Sequence, residues 1–174
     1  MIVPLKQDDD NYHAIKRRTR VAAAAVLVYD LIIVTYQFFR LYDAYNDTLP
    51  VLNVYFAIFT STAVLFVLQF ACAVFAIFYL LGAIKEDRSL LLLWLIAAIL
   101  LIFLKGILVG YNLYTYNAVA QEKSLSQLFW DNSQLAVLIT TMMVYLIPLI
   151  LAFTMIKKIK ERIASSFEER QILL

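Results

Sequence analysis

Four long apolar runs fill most of this chain of 174 residues, and short charged segments separate them. Asp30 is the only charged residue between Val21 and Phe39, and Lys105 is the only one between Leu90 and Val109. The other two runs carry no formal charge. A hydrocarbon layer about 30 Å thick takes about 20 helical residues to cross. The pattern therefore predicts four transmembrane segments, approximately at 21–41, 51–84, 89–111 and 134–156.

The runs are continuously apolar and do not alternate with polar residues, which indicates helices and excludes the strands of a membrane barrel. The chain is 63% hydrophobic, whereas soluble domains average about 45–50%. We therefore expect an all-α polytopic membrane protein. A four-helix bundle over 21–156 would lie between an N-terminal tail, 1–20, and a C-terminal tail, 157–174.

The distribution of Lys and Arg predicts how the chain is threaded, because such residues are enriched in cytoplasmic segments. Most of them lie before the first run, in the turn after the second, or after the fourth. They are Lys6, Lys16, Arg17, Arg18, Arg20, Lys85, Arg88, Lys157, Lys158, Lys160, Arg162 and Arg170. An even number of spans puts all three segments on one side, so both termini are predicted to be cytoplasmic. This threading places the sequon Asn46-Asp47-Thr48 outside, where Asn46 is a candidate for N-glycosylation.

Two ionisable residues inside the apolar runs are candidates for function, because charges in a bilayer core are costly. From the cytoplasmic side, Asp30 would lie about 15 Å deep and Lys105 about 23 Å deep. Gln37 shares the face of Asp30, and Gln69 on the second run could bridge the two charges. Direct or bridged pairing is one interpretation. In another, Lys105 extends to the outer headgroups and Asp30 is protonated or bonded to another helix. A third is proton or ion handling.

Each run also carries one stripe of small or polar residues, which we expect to face the interior of the bundle. Gly106 and Gly110 form a GxxxG step on the third run. Such a step lets another helix come close, and we favour packing within the bundle over homodimerisation.

Both tails carry patterns that clathrin adaptors recognise. The C-terminal tail ends in an acidic dileucine pattern, with Glu169 four residues before Leu173 and Leu174. The N-terminal tail has Tyr12 three residues before Ile15, which is the tyrosine-based pattern. Two alternatives remain for the C-terminus: an amphipathic extension on the membrane surface, or a ligand for a PDZ groove.

The sequence contains no recognisable set of catalytic residues. His13 is the only histidine and Cys72 the only cysteine, so neither a nucleophile–base pair nor the spacing of a metal site is evident. We expect no enzyme activity, no cofactor and no nucleic-acid partner. The expected partners are the lipid bilayer, clathrin adaptors, and other membrane proteins in homo- or hetero-oligomers.

The stretch Leu81–Leu95, with its short basic turn, resembles the same region of small animal four-span proteins. These include the lysosome-associated four-span transmembrane proteins and their insect relatives, the Pasiflora septate-junction proteins. The chain lacks the cysteine-rich N-terminus and Pro-Pro-x-Tyr motifs of the lysosomal members. The resemblance implies a non-enzymatic protein of endosomes or lysosomes, with trafficking or adaptor function. The alternatives are a junctional or plasma-membrane scaffold, and a small transporter or channel using Asp30 and Lys105.

Overall fold

The computed structural model describes the backbone of residues 5–46, 52–119 and 125–172, and side chains over 11–43, 45, 60–111 and 133–166. Four helices account for nearly all of it: α1 (Leu5–Asn46), α2 (Leu52–Lys85), α3 (Arg88–Val119) and α4 (Leu125–Ile172). Each contains a segment long and apolar enough to cross a membrane: Asn11–Asp43, Thr60–Lys85, Arg88–Tyr111 and Ser133–Ser166. The predicted all-α class and the four candidate spans are confirmed.

Helices α1 and α4 extend well beyond the predicted spans. The 42 residues of α1 are about 63 Å long, and α4 continues to Ile172. Segments 5–20 and 157–172 contain no glycine or proline, so nothing in their sequence breaks the helix. Helix therefore continues through the boundaries predicted at 20 and 157, and the position of the two tails relative to the membrane stays a prediction.

Each helix packs against two neighbours: α1 against α2 and α4, and α3 against the same two. Helix α1 runs antiparallel to both neighbours, because its bonding partner on α2 changes from Ala83 to Gln69 between Arg20 and Asp30. Its partner on α4 likewise changes from Tyr145 to Gln134 between Asp30 and Gln37. We call the end of the bundle that holds Glu86 and Asp87 the turn end. The opposite end, where α1 finishes and α2 begins, is the far end.

The turn between α2 and α3 is two residues long. Glu86 has a φ of 59°, and the amide of Asp87 donates to the Gly82 carbonyl at 3.0 Å, which is the geometry that commonly ends a helix. The Asp87 carboxylate then accepts hydrogen bonds from the Ser89 and Leu90 amides and caps the start of α3. A Cβ added at Gly82 would lie 3.1 Å from Leu90 and Leu91, so glycine allows α2 and α3 to approach here.

Large apolar side chains are exposed on the outer face of every helix, with Phe38, Val67, Phe103 and Met143 as examples. Soluble monomers rarely expose apolar patches of such extent. These faces are compatible with contact to the hydrocarbon of a bilayer. Among the described side chains, the buried charged and amide groups point into the bundle instead.

Candidate functional site

Asp30 of α1 is completely buried, and both of its carboxylate oxygens accept hydrogen bonds. Gln69 of α2 donates to Oδ1 at 2.9 Å, and the Tyr145 hydroxyl of α4 donates to Oδ2 at 2.5 Å. A buried carboxylate needs such partners, because leaving it unpaired away from water is costly. Asp30 thus ties α1 to two neighbouring helices.

Lys105 of α3 is only 5% exposed. Its ammonium donates to Gln69 Oε1 at 2.5 Å and to Cys72 Sγ at 3.1 Å. The nitrogen of the Gln69 carboxamide therefore donates to Asp30, and its oxygen accepts from Lys105. Asp30 and Lys105 are linked through one carboxamide, which is the bridged arrangement, and the Lys105 side chain lies inside the bundle.

A second polar layer lies toward the far end. Gln37 and Gln134 exchange hydrogen bonds at 3.1 and 3.4 Å, and both are buried. Seven residues separate Gln37 from Asp30, or about 10 Å along α1, so Gln37 belongs to this layer and does not contact the acid. Arg40 and Ser133 follow, with a hydrogen bond of 3.4 Å, and are partly exposed.

A cavity of about 10 Å³ separates the two polar layers. This is close to the smallest volume that can hold one water molecule, whereas pockets for organic ligands measure about 300–1,000 Å³. Polar side chains of all four helices and a few aliphatic ones line it: Gln37, Leu65, Gln69, Lys105, Val109, Gln134, Val137, Leu138 and Thr141.

Toward the turn end, the site is closed by aromatic rings. Tyr79 and Trp94 stack with their centroids 3.9 Å apart and their planes 11° from parallel, and Tyr145 lies 6.0 Å from Trp94. All three are buried. The Tyr79 hydroxyl donates to the Pro148 carbonyl at 3.2 Å, so its polar group is satisfied locally.

Gly106 and Gly110 do not have the packing role within the bundle that we favoured. A Cβ built at either glycine meets no atom within 4 Å. Successive helical residues turn by about 100°, so both glycines point well away from the inward direction of Lys105. The prediction of packing within the bundle is wrong for this structure, and the pair lies on an open face of α3.

The residues of the tyrosine-based pattern lie in α1 and not in an extended tail. Tyr12 is only 3% exposed, its hydroxyl donates to the Glu86 carboxylate, and the Arg162 guanidinium lies 3.8 Å from its ring centroid. Ile15 is half-buried against the core. In this arrangement Tyr12 is not available to a receptor that binds an extended peptide.

Glu86 is the centre of this contact at the turn end. It also accepts from the Lys16 ammonium, and Arg20 donates to the carbonyls of Ala83 and Ile84 at 3.2 and 3.0 Å. The hydrogen bonds from Lys16 and Tyr12 hold the pKa of Glu86 below its ordinary value. The N-terminal extension of α1 therefore clamps the α2–α3 turn.

The remaining predicted sites lie partly outside the described residues. Asn46 is the last residue of α1, and the rest of its sequon lies outside the described residues. Glu169 lies within α4, although its side chain is outside the described set, and Leu173 and Leu174 fall beyond it. No group of three or more potential metal ligands occurs among the residues whose placement is described.

Sequence reasoning missed Tyr145 and Cys72 as members of the polar cluster. Tyr145 follows Thr141 by four residues, so the two share a helix face, and that spacing was the signal that could have identified it. Comparison of the chain with family models, curated proteins and solved structures gives no match in any of the three. The resemblance to four-span proteins therefore stays a prediction.

Proposed function

We propose that this chain is a non-enzymatic multi-pass membrane protein that acts in endolysosomal trafficking, with its cytoplasmic C-terminal segment recognised by clathrin adaptors. The observation that carries the proposal is the filled interior of the bundle. Its buried polar groups bond one another, and the cavity beside them has room for about one water molecule. A cavity of this size is too small for an organic ligand, so the proposal places recognition on the outer faces and the helical extensions of the described bundle.

The extension of α4 supports a role for the C-terminus. Residues 157–172 continue the helix for about 24 Å, and Lys157, Lys158 and Lys160 at its base suit contact with anionic headgroups. Such a helix would hold Glu169 away from the membrane, where a soluble adaptor can reach it, and the two leucines of the pattern follow at 173 and 174 in the sequence. The tyrosine-based pattern is left out of the proposal, because Tyr12 is buried.

The test is the distribution of a tagged wild type and a Leu173→Ala/Leu174→Ala variant in cells. We expect the wild type in endosomes and lysosomes, and the variant at the plasma membrane. Ile163→Ala is the matched control, because Ile163 is an exposed apolar residue on the same extension. Identical distributions of wild type and double variant would reject the proposal. A wild type concentrated at cell borders would favour a junctional scaffold.

A transporter or channel is the second candidate, and the buried Asp30 and Lys105 favour it. Charged side chains inside membrane segments commonly mark ion or proton pathways. Protein reconstituted into vesicles would then carry a proton or ion flux that Asp30→Asn abolishes. Equal flux in the variant, or none in the wild type, would reject this candidate.

A further inference from the structure

The buried polar residues are distributed unevenly along the axis of the bundle. From Asp30 to the far end, the interior contains carboxylate, ammonium, amide and hydroxyl groups: Asp30, Gln37, Thr62, Gln69, Lys105, Gln134 and Thr141. From Asp30 toward the turn end, the buried core is apolar and aromatic: Ala23, Val26, Ala76, Tyr79, Leu91, Trp94, Ala98, Ala152 and Met155. The interior thus has a polar half and an apolar half.

The polar half forms a nearly continuous series of contacts. It begins at the partly exposed Arg40–Ser133 pair and continues through the amides of Gln37 and Gln134. The cavity comes next, and its wall includes Lys105 and Gln69. One water in this cavity would lie between the amide pair and the Lys105 ammonium, because both line it.

The apolar half offers no comparable route. Within the described residues, the next buried polar side chain of α1 toward the turn end is Thr19, about 16 Å from Asp30. The Thr19 hydroxyl donates its hydrogen bond to the Ile15 carbonyl of the same helix. The Tyr79–Trp94 stack fills the space between. The Tyr79 hydroxyl in this half already donates to the Pro148 carbonyl, so an ion entering from the turn end would leave water and find only polar groups that are bonded to each other.

We propose that the bundle is a half-channel, in which water and the protons it carries reach Lys105 and Asp30 through the far end only. The groups that face Asp30 are Gln69 of α2 and Tyr145 of α4, with Lys105 of α3, Cys72 of α2 and Tyr29 of α1 nearby. The inference does not rest on the trafficking function. A bundle that carries nothing across the membrane would have the same one-sided access.

Cys72 is a native reporter of this access. It is the only cysteine in the chain, it is buried, and its sulfur lies 3.1 Å from Lys105 Nζ. Ag⁺ is a small cation that binds thiols and, in chloride-free buffer, does not cross lipid readily. The protein would be placed in vesicles whose orientation is established by protease digestion of the tails. Ag⁺ would then be added from one side at a time, and the remaining free thiol measured after denaturation.

We expect Cys72 to react from the far-end side faster than from the turn-end side by on the order of 100-fold. This factor corresponds to the cost of about 2.5–3.5 kcal/mol for placing a charge in the apolar centre of a membrane. Equal rates from the two sides, faster reaction from the turn end, or no reaction from either side would overturn the half-channel.

The matched control is Cys72→Ala/Ala76→Cys, which moves the thiol one helical turn into the apolar half. Ala76 is completely buried, and we expect its replacement to stay unreactive from both sides. A reactive thiol at this position would show that water enters the apolar half and would also contradict the proposal. The wild-type comparison stands alone if the control variant does not fold.

Discussion

The Tyr145 hydroxyl donates a hydrogen bond of 2.5 Å to the Asp30 carboxylate, across the interface between α4 and α1. These residues are 115 positions apart in the chain, and both are buried. The contact joins the first and last helices in the middle of the bundle, at the level where the polar interior meets the aromatic one. It is a tertiary link that neither helix alone would predict.

Tyr145→Phe is expected to destabilise the bundle by about 1.5–3 kcal/mol, the usual contribution of a hydrogen bond to a charged group. The ring would still fill its place, but Asp30 would lose one of its two donors. Thermal unfolding in detergent or nanodiscs measures the effect. Tyr29→Phe is the control, since Tyr29 bonds the neutral hydroxyl of Thr141 at 2.9 Å and should cost about 0.5–1.5 kcal/mol. Equal losses in the two variants would argue against a charged Asp30.

Removing one charge from the bridged pair should lower the free energy of unfolding more than removing the whole network does. Asp30→Leu or Lys105→Leu alone leaves the other charge buried without its counter-ion, which typically costs about 3–5 kcal/mol. The double variant would still leave the Gln69 amide and the Tyr145 hydroxyl without their partners, so we expect folded yield to recover only when Gln69→Leu and Tyr145→Phe are added. Size-exclusion yield and thermal unfolding measure this. A quadruple variant no better than the singles would contradict a purely structural network.

The sequence identified Asp30 and Lys105 because charges are rare in apolar runs, and it left their pairing through Gln69 as one of three interpretations. It did not predict Tyr145, since a tyrosine in an apolar run is also compatible with packing. It also underestimated α1 and α4. The apolar pattern marks where a helix can lie in lipid, whereas a helix without breakers continues beyond the apolar run when it packs on a turn, as α1 does on Glu86.

The role of Gly106 and Gly110 failed as a prediction for a related reason. A GxxxG step allows another helix to come close, but it does not determine which face of α3 turns inward. That orientation is set by Lys105 and its bonding partners. Burying the ammonium among Gln69 and Cys72 directs the glycines outward. Local spacing carries no information on which of two competing faces is buried.

Replacement of glycine should therefore have opposite effects at different positions. Gly106→Ala is expected to stabilise the monomer by about 0.5–1 kcal/mol, because alanine is the better helix former and the added methyl meets no atom. Gly82→Ala should destabilise it, since its Cβ would lie 3.1 Å from Leu90 and Leu91. Thermal unfolding of both variants at equal protein concentration checks this. Loss of stability in Gly106→Ala would instead indicate that a second molecule packs on this face.

The clamp at the turn end should weaken in acid. The pKa of Glu86 is lowered in the folded state by hydrogen bonds from Lys16 and Tyr12, so the folded protein binds fewer protons than the unfolded chain near that pKa. The stabilisation is complete above the ordinary pKa of 4.5 and is lost as pH falls through the lower pKa of the folded state.

Glu86→Gln should unfold at a lower temperature than the wild type at neutral pH, and the gap between their unfolding temperatures should close on acidification. Lys16→Met should behave in the same way, because it removes the largest cause of the shift. A gap that stays constant from neutral to acid pH would mean that Glu86 does not hold α1 on the turn through its charge.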